Sequence, residues 1–288
     1  MSEKIAIAIV HGVGTTQPDF ADEMIAELGK RFTDETGVPA AESLAFQPVY
    51  WGPILQVPED VLWERMKAGG ELDFTSLRRF IVSFAADALA YQPLPGENSA
   101  YDRIHAECAR SLKQLAAAAG PAAPLVVIAH SLGTVISSNF FYDHAKPATG
   151  LHGPLTLAAI GGVPSALEKG ETLTSLITMG SPIALWSLRF TNFGKPITVP
   201  APALAAARPA LAAAGGWENY YDPDDVIGYP LKELNDAYRV AILRDVAVNV
   251  GSLLTSWNPL SHTGYWTDNN VTKPVAARLA DIWRRTNA

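Results

Sequence analysis

The chain has 288 residues, long enough for one large α/β unit with insertions, and its 48% hydrophobic and 18% charged residues give the balance of a folded globular protein. Its formal net charge of -7 includes no basic run, which excludes the phosphate-neutralising surface that nucleic-acid binding requires. The single cysteine, Cys108, excludes an intrachain disulfide and a cysteine-rich metal framework and fits a reducing, cytoplasmic setting, and no apolar stretch approaches the roughly 20 residues that span a bilayer.

Met1 to Lys4 lacks the basic start of a secretory leader, so the apolar run Ile5 to Val10 reads as a first strand, ended by His11-Gly12-Val13-Gly14. Asp19 to Thr36 places Phe20, Met24, Ile25, Leu28 and Phe32 at helical spacing before Gly37. A second strand is expected over Ser43 to Trp51, and a short helix over Pro58 to Lys67. Thr75 to Tyr91 has the apolar set Leu77, Phe80, Ile81, Phe84, Ala85, Ala88 and Leu89 of an amphipathic helix, suited to either a core or a lid. Asn98 to Ala119 is a further helix, stopped by Gly120-Pro121. Pro124 to Ala129 is a continuous apolar run, the pattern of a strand buried on both faces at the centre of a parallel sheet. A helical pattern runs from Leu132 through Phe141. Strands are expected at Leu176 to Met179, Trp217 to Tyr221 and Val240 to Val250, and a closing helix over Val275 to Arg285. The Ala/Pro-rich stretch Val199 to Gly216 reads as an insertion near the site.

At the junction of the buried strand and its following helix stands Ala129-His130-Ser131-Leu132-Gly133. A sharp strand-to-helix turn lifts a serine hydroxyl above the sheet, and it needs small residues two before and two after the serine because the helix folds back tightly on the strand. In an Ala/Gly-rich chain the short pattern alone is common; its position between strand and helix is what makes Ser131 a candidate nucleophile. The plain alternative is a serine capping a core helix.

With this elbow the chain resembles the α/β-hydrolase superfamily, and within it the lipase-like serine esterases whose elbow reads Ala-His-Ser-x-Gly. The resemblance runs from Ile5 to His262, with Ala129 replacing the commoner glycine. It implies an α/β-hydrolase fold, a mostly parallel central sheet flanked by helices, as a single domain over 1–288 with candidate cap segments at 52–97 and 199–216. It also implies the chain order nucleophile, acid, base. The acid is then expected in Asp222-Pro223-Asp224-Asp225-Val226-Ile227 after a strand, where the lipase-like Asp-Val/Ile-Val/Ile pattern favours Asp225 over Asp224 and Asp222. The base is expected at His262, which follows this cluster while His11, His105, His130, His144 and His152 precede it, and whose surroundings, His262-Thr263-Gly264-Tyr265-Trp266, resemble the lipase-like His-x-x-Tyr-aromatic ending. The similarity of Val10 to Gly14 to a His-Gly oxyanion loop offers the Val13 N–H as one oxyanion donor, with the Leu132 N–H at the helix start as the other. His11 reads as structural, and Ser181, in Met179-Gly180-Ser181-Pro182, as a strand-end residue.

The expectation is a carboxylic ester hydrolase working through Ser131, His262 and Asp225 on a small-molecule acyl ester or lipid-like substrate, with no cofactor and no metal. An acyltransferase or thioesterase would use the same three residues, and a ligand-binding protein on the same fold is the alternative outside catalysis. The sequence leaves oligomeric state open.

Overall fold

A computed structural model describes residues 2–13, 17–70, 73, 75–93, 99–145, 163–250 and 259–288. Six strands form one parallel sheet: β1 (Ile5–Val10), β2 (Leu44–Val49), β3 (Leu125–His130), β4 (Leu173–Met179), β5 (Gly216–Tyr221) and β6 (Ile242–Ala247), in the spatial order β2-β1-β3-β4-β5-β6. Every residue of β1, β3 and β4 is buried. That is why β1 and β3 up to Ala129 are unbroken runs of branched and small apolar side chains rather than alternating ones, while the buried Thr174, Ser175 and Thr178 of β4 each place their hydroxyl on a hydrogen-bond acceptor: both faces of the sheet are covered. The fold is α/β, as the strand and helix alternation of the sequence indicates.

Helix α1 (Asp22–Thr36) buries Met24, Leu28 and Phe32, one residue per turn, and packs against the short α2 (Ala40–Ser43) and against α11 (Asn269–Thr286), which buries Val271, Val275 and Leu279. Helix α5 (Ala100–Ala119) lies across β1 and β2 through a stripe that includes Ile104, Cys108, Leu112 and Leu115, and touches α6 (Leu132–Ala145). On β5 the fully buried Glu218 accepts hydrogen bonds from Arg244 of β6 and Arg278 of α11, which fastens the exposed edge strand and the closing helix to the sheet.

The chain leaves β1 toward β2 on one side and later enters β3 on the other. This reversal sets the topological switch point at the C-terminal ends of β1 and β3, the place where open α/β sheets bind ligands. The same edge receives α3 (Pro53–Ala68), which begins right after β2, and α4 (Thr75–Ala90) packed on it. Helix α3 turns only Leu55, Glu59 and Trp63 inward and leaves Val57, Val61, Leu62 and Met66 exposed. In α4, Ser83 and Asp87 are buried while Leu89 is exposed, and Phe84 meets Trp186 edge to face at 6.1 Å. Trp186 belongs to α7 (Ile183–Ser187), which follows β4. The side chains of Leu77, Phe80 and Ile81 lie outside the described residues.

The segment 199–216, expected beside the site as part of a cap, lies at the opposite edge. It holds two short helices, α8 (Pro202–Ala207) and α9 (Pro209–Ala212). The Ala201 N–H donates to Leu173 O at the start of β4, and Arg208 pairs with Glu3 just ahead of β1. Leu204, Leu211 and Ala214 are buried because they close the N-terminal end of the sheet. These residues are core, and being apolar did not distinguish one end of the sheet from the other.

The start of α6 is pressed onto the end of β1: a Cβ built on Gly133 would stand 2.5 Å from His11 O and 2.6 Å from Val10 O, both backbone atoms that cannot swing aside. Gly133→Ala is therefore expected to lower stability by about 2 kcal/mol or more, as overpacking does. Gly29→Ala in α1, whose new Cβ would meet nothing nearer than Ala40 Cβ at 3.5 Å, should instead raise it by up to about 1 kcal/mol through helix propensity. Urea unfolding of the two variants checks both signs.

Candidate active site

Ser131 is the single residue between β3 and α6, and its backbone is left-handed, with φ of 54°. An L-residue pays on the order of 1–3 kcal/mol for that conformation, so it persists only where its surroundings fix it. They do so here: the Ser131 N–H donates to Met179 O at the end of β4 (3.0 Å), and its carbonyl accepts from the Thr134 N–H (2.9 Å) and Thr134 Oγ1 (2.7 Å). The loop leaving β1 passes directly over the side chain. A Cβ on Gly12 would come within 2.3 Å of Ser131 Cβ and 2.9 Å of its Oγ, so only glycine allows the backbone so near the hydroxyl.

Ser131 Oγ lies 2.7 Å from His262 Nε2. His262 is carried on a 3₁₀ segment, Pro259–Trp266, and its Nδ1 stands 3.0 and 2.9 Å from the two carboxylate oxygens of Asp225, in the loop after β5. All three side chains are buried, at 1%, 2% and 4% exposure for Ser131, His262 and Asp225. Asp225 Oδ1 also accepts from the Ile227 N–H (2.9 Å) and Oδ2 from the Tyr265 hydroxyl (2.9 Å). Burial pushes this carboxyl up, but the donors and the neighbouring His262 outweigh it, and the group is held below the ordinary carboxylate range. An ionised Asp225 places the imidazole proton on Nδ1, which leaves Nε2 as the acceptor for the serine hydroxyl.

The other sequence-derived residues have distinct places. Val13 follows Gly12 in the loop over the serine and is half-buried. Leu132 is the first residue of α6, where a backbone N–H has no partner within the helix. Asp222, buried like Asp225, accepts from the Asp224 N–H (2.8 Å) and the Val250 N–H (2.7 Å) and so shapes the loop, while Asp224 is exposed. Ser181 Oγ bonds Thr134 Oγ1 (2.8 Å) and accepts from the Ile183 N–H (3.3 Å). Cys108 is buried away from this edge, and burial pushes its thiol up to about 12, which keeps it from acting as a thiolate.

Two further imidazoles line the site. His11 donates from Nδ1 to Gly12 O (2.8 Å) and accepts at Nε2 from the Trp51 and Gly52 N–H groups (3.2 Å each), with its ring stacked on Trp51 at 4.6 Å. It staples the β1 loop to the start of α3. His130 Nε2–H donates to the backbone carbonyl of His262 (2.6 Å), so the residue beside the serine holds the segment that carries the facing imidazole. This contact and the one from Tyr265 had no local sign in the sequence beyond an aromatic three residues after His262. Burial holds both His11 and His130 down to about 3, and His130 is lowered further by the neighbouring His262.

Among the described residues no group of three or more His, Cys, Asp or Glu side chains could hold a metal ion, and no helix is long and apolar enough to cross a membrane. Compared with known proteins, the chain matches no family model and no curated relative.

The buried neutral imidazoles make a pH prediction. His11 and His130 stay uncharged in the folded protein down to about 3, and His144, again through burial, down to about 4, whereas in the unfolded chain each takes up a proton near 6.5. The unfolded state thus binds more protons between those values, so stability present above about pH 6.5 is lost as pH falls, by about 3 kcal/mol per imidazole near pH 4.5 for the two deepest. Urea midpoints measured from neutral pH down should fall accordingly, and His11→Gln, which keeps an acceptor for the Trp51 and Gly52 N–H groups, should flatten the curve. A midpoint constant over that range would contradict it.

Proposed function

We propose that the chain is a serine hydrolase of the α/β-hydrolase kind that cleaves carboxylic esters. The observation that carries this reading is the unbroken hydrogen-bonded chain from Ser131 Oγ to His262 Nε2, and from His262 Nδ1 to Asp225, on a left-handed strand-to-helix turn. A serine capping a core helix needs neither the imidazole nor the strained backbone.

In the proposed reaction the Ser131 oxygen attacks the ester carbonyl carbon as its proton passes to His262 Nε2. The carbonyl oxygen becomes an oxyanion, stabilised by the N–H groups of Val13 and Leu132. Collapse breaks the bond to the alcohol, which leaves with the proton from His262, and an acyl-serine remains. Water then repeats the sequence, giving its proton to His262 and its oxygen to the acyl carbon, and releases the acid and the free serine. Asp225 stays ionised throughout and stabilises the imidazolium formed in each half. The substrate assigned to this site is a small acyl ester or a lipid-like one, and α3, α4 and α7, attached at the same sheet edge with Phe84 against Trp186, are the proposed cap over its acyl group.

Ser131→Ala should abolish ester turnover and covalent labelling by a fluorophosphonate while the protein stays folded. Ser131→Gly should also be inactive but unfold no earlier than the parent, and up to about 1 kcal/mol later, because glycine relieves the left-handed strain. Asp225→Asn should lower kcat by a factor on the order of 10⁴ while the exposed Asp224→Asn stays near the parent rate. A folded Ser131→Ala protein with full turnover of p-nitrophenyl esters would overturn the proposal.

A further inference from the structure

The 3₁₀ segment Pro259–Trp266 has three residues per turn, so side chains three apart eclipse one another and point the same way. His262 and Tyr265 are such a pair, and both reach the carboxylate of Asp225. Tyr265 is fully buried, and its hydroxyl sits between two groups: it lies 2.9 Å from Asp225 Oδ2 and accepts the Asp222 N–H at 2.8 Å. The amide proton of Asp222 occupies one lone pair of the phenol oxygen, so the single phenol proton is directed at Asp225. Burial, with the charges of Asp225 and Asp222 adding to it, raises this phenol well above its usual range, so it remains a donor wherever the protein is folded. The groups facing it are Asp225, Asp222 and the neutral ring of His130 at 5.7 Å.

We propose that Tyr265 is a positioning residue for the acid and base, acting on His262 through Asp225. The proposal rests on the hydrolase reading. The phenol proton fixes the plane of the carboxylate opposite His262 Nδ1 and draws off part of its negative charge, which limits how strongly Asp225 favours the imidazolium over the neutral base.

Tyr265→Phe removes one oxygen and tests both effects. With the donor gone, Asp225 carries more charge toward His262, the imidazolium is favoured, and the acidic limb of kcat/KM should move to higher pH by up to about one unit. The looser carboxylate should lower kcat by about tenfold with KM unchanged. In the Asp225→Asn background the same change should have little further effect on kcat, because the path through the acid is already cut. Site-specific replacement of Tyr265 by 3-fluorotyrosine keeps the fold and strengthens the donor, so it should move the limb to lower pH, and it stands as the test if Tyr265→Phe fails to fold. A limb unmoved in both, or an equal loss in the Asp225→Asn background, overturns the role of Tyr265 while a dead Ser131→Ala leaves the hydrolase reading intact. An active Ser131→Ala overturns both.

Discussion

The arrangement depends on one residue held in a backbone conformation it disfavours. At φ of 54°, Ser131 turns the chain from β3 into α6 within a single step and leaves its hydroxyl at the sheet edge instead of in the core. That turn is secured by parts distant in sequence: the carbonyl of Met179 from β4, the first turn of α6 closing on the serine carbonyl, and the β1 loop laid against its Cβ at Gly12. Because β3 is central and covered on both faces, the turn cannot relax without shifting β1 and β4. Interiors packed to this density resist such shifts, so the strain persists.

The electrostatics around the turn follow the same logic. A buried carboxylate is stable only where fixed donors replace the water it gives up, and Asp225 receives the Ile227 N–H, the Tyr265 hydroxyl and His262 Nδ1. The flanking imidazoles are kept neutral by burial and are spent on backbone groups: His11 spans the β1 loop and the start of α3, and His130 reaches the carbonyl of His262. Through these bonds they fix the loops on either side of the serine. His262 instead faces the carboxylate with one nitrogen and the hydroxyl with the other.

Much of the fold was legible because buried parallel strands have an unmistakable composition. Leu125 to Ile128 could hardly be anything but a central strand, and the α/β class followed from its neighbours. Two helices begin earlier than the expected Pro58 and Val275: α3 starts at Pro53 and α11 at Asn269, and each runs through a proline, Pro58 or Pro274. The strand expected over Val240 to Val250 begins later, at Ile242, because Asn235 accepts the Tyr238 N–H and caps a short helix, α10 (Asp236–Ala241), ahead of it. At the site, the junction of strand and helix selected Ser131, and chain order with the loop resemblance selected Asp225 and His262, the three side chains the structure joins by hydrogen bonds. The roles of His130 and Tyr265 were not legible, because they depend on how a 3₁₀ turn meets the loop after β5, and no local pattern encodes that meeting. The position of 199–216 was missed for the same reason: hydrophobicity states that a segment is covered and is silent on which end of the sheet covers it.

The groups that meet at the site are far apart along the chain, Ser131 and His262 by 131 positions. Synthesis proceeds at roughly 5–20 residues per second, so the serine leaves the ribosome on the order of ten seconds before the imidazole that would activate it. Through that interval β1 to β4 can pair while the emerging chain carries an ordinary alcohol at the elbow. On the proposed reading, reactivity arrives late and all at once, when the 3₁₀ segment swings in and α11 closes against α1. A nascent or partly unfolded copy is then chemically inert toward the esters around it, and the capacity to react is itself a report that the 3₁₀ segment and α11 have docked.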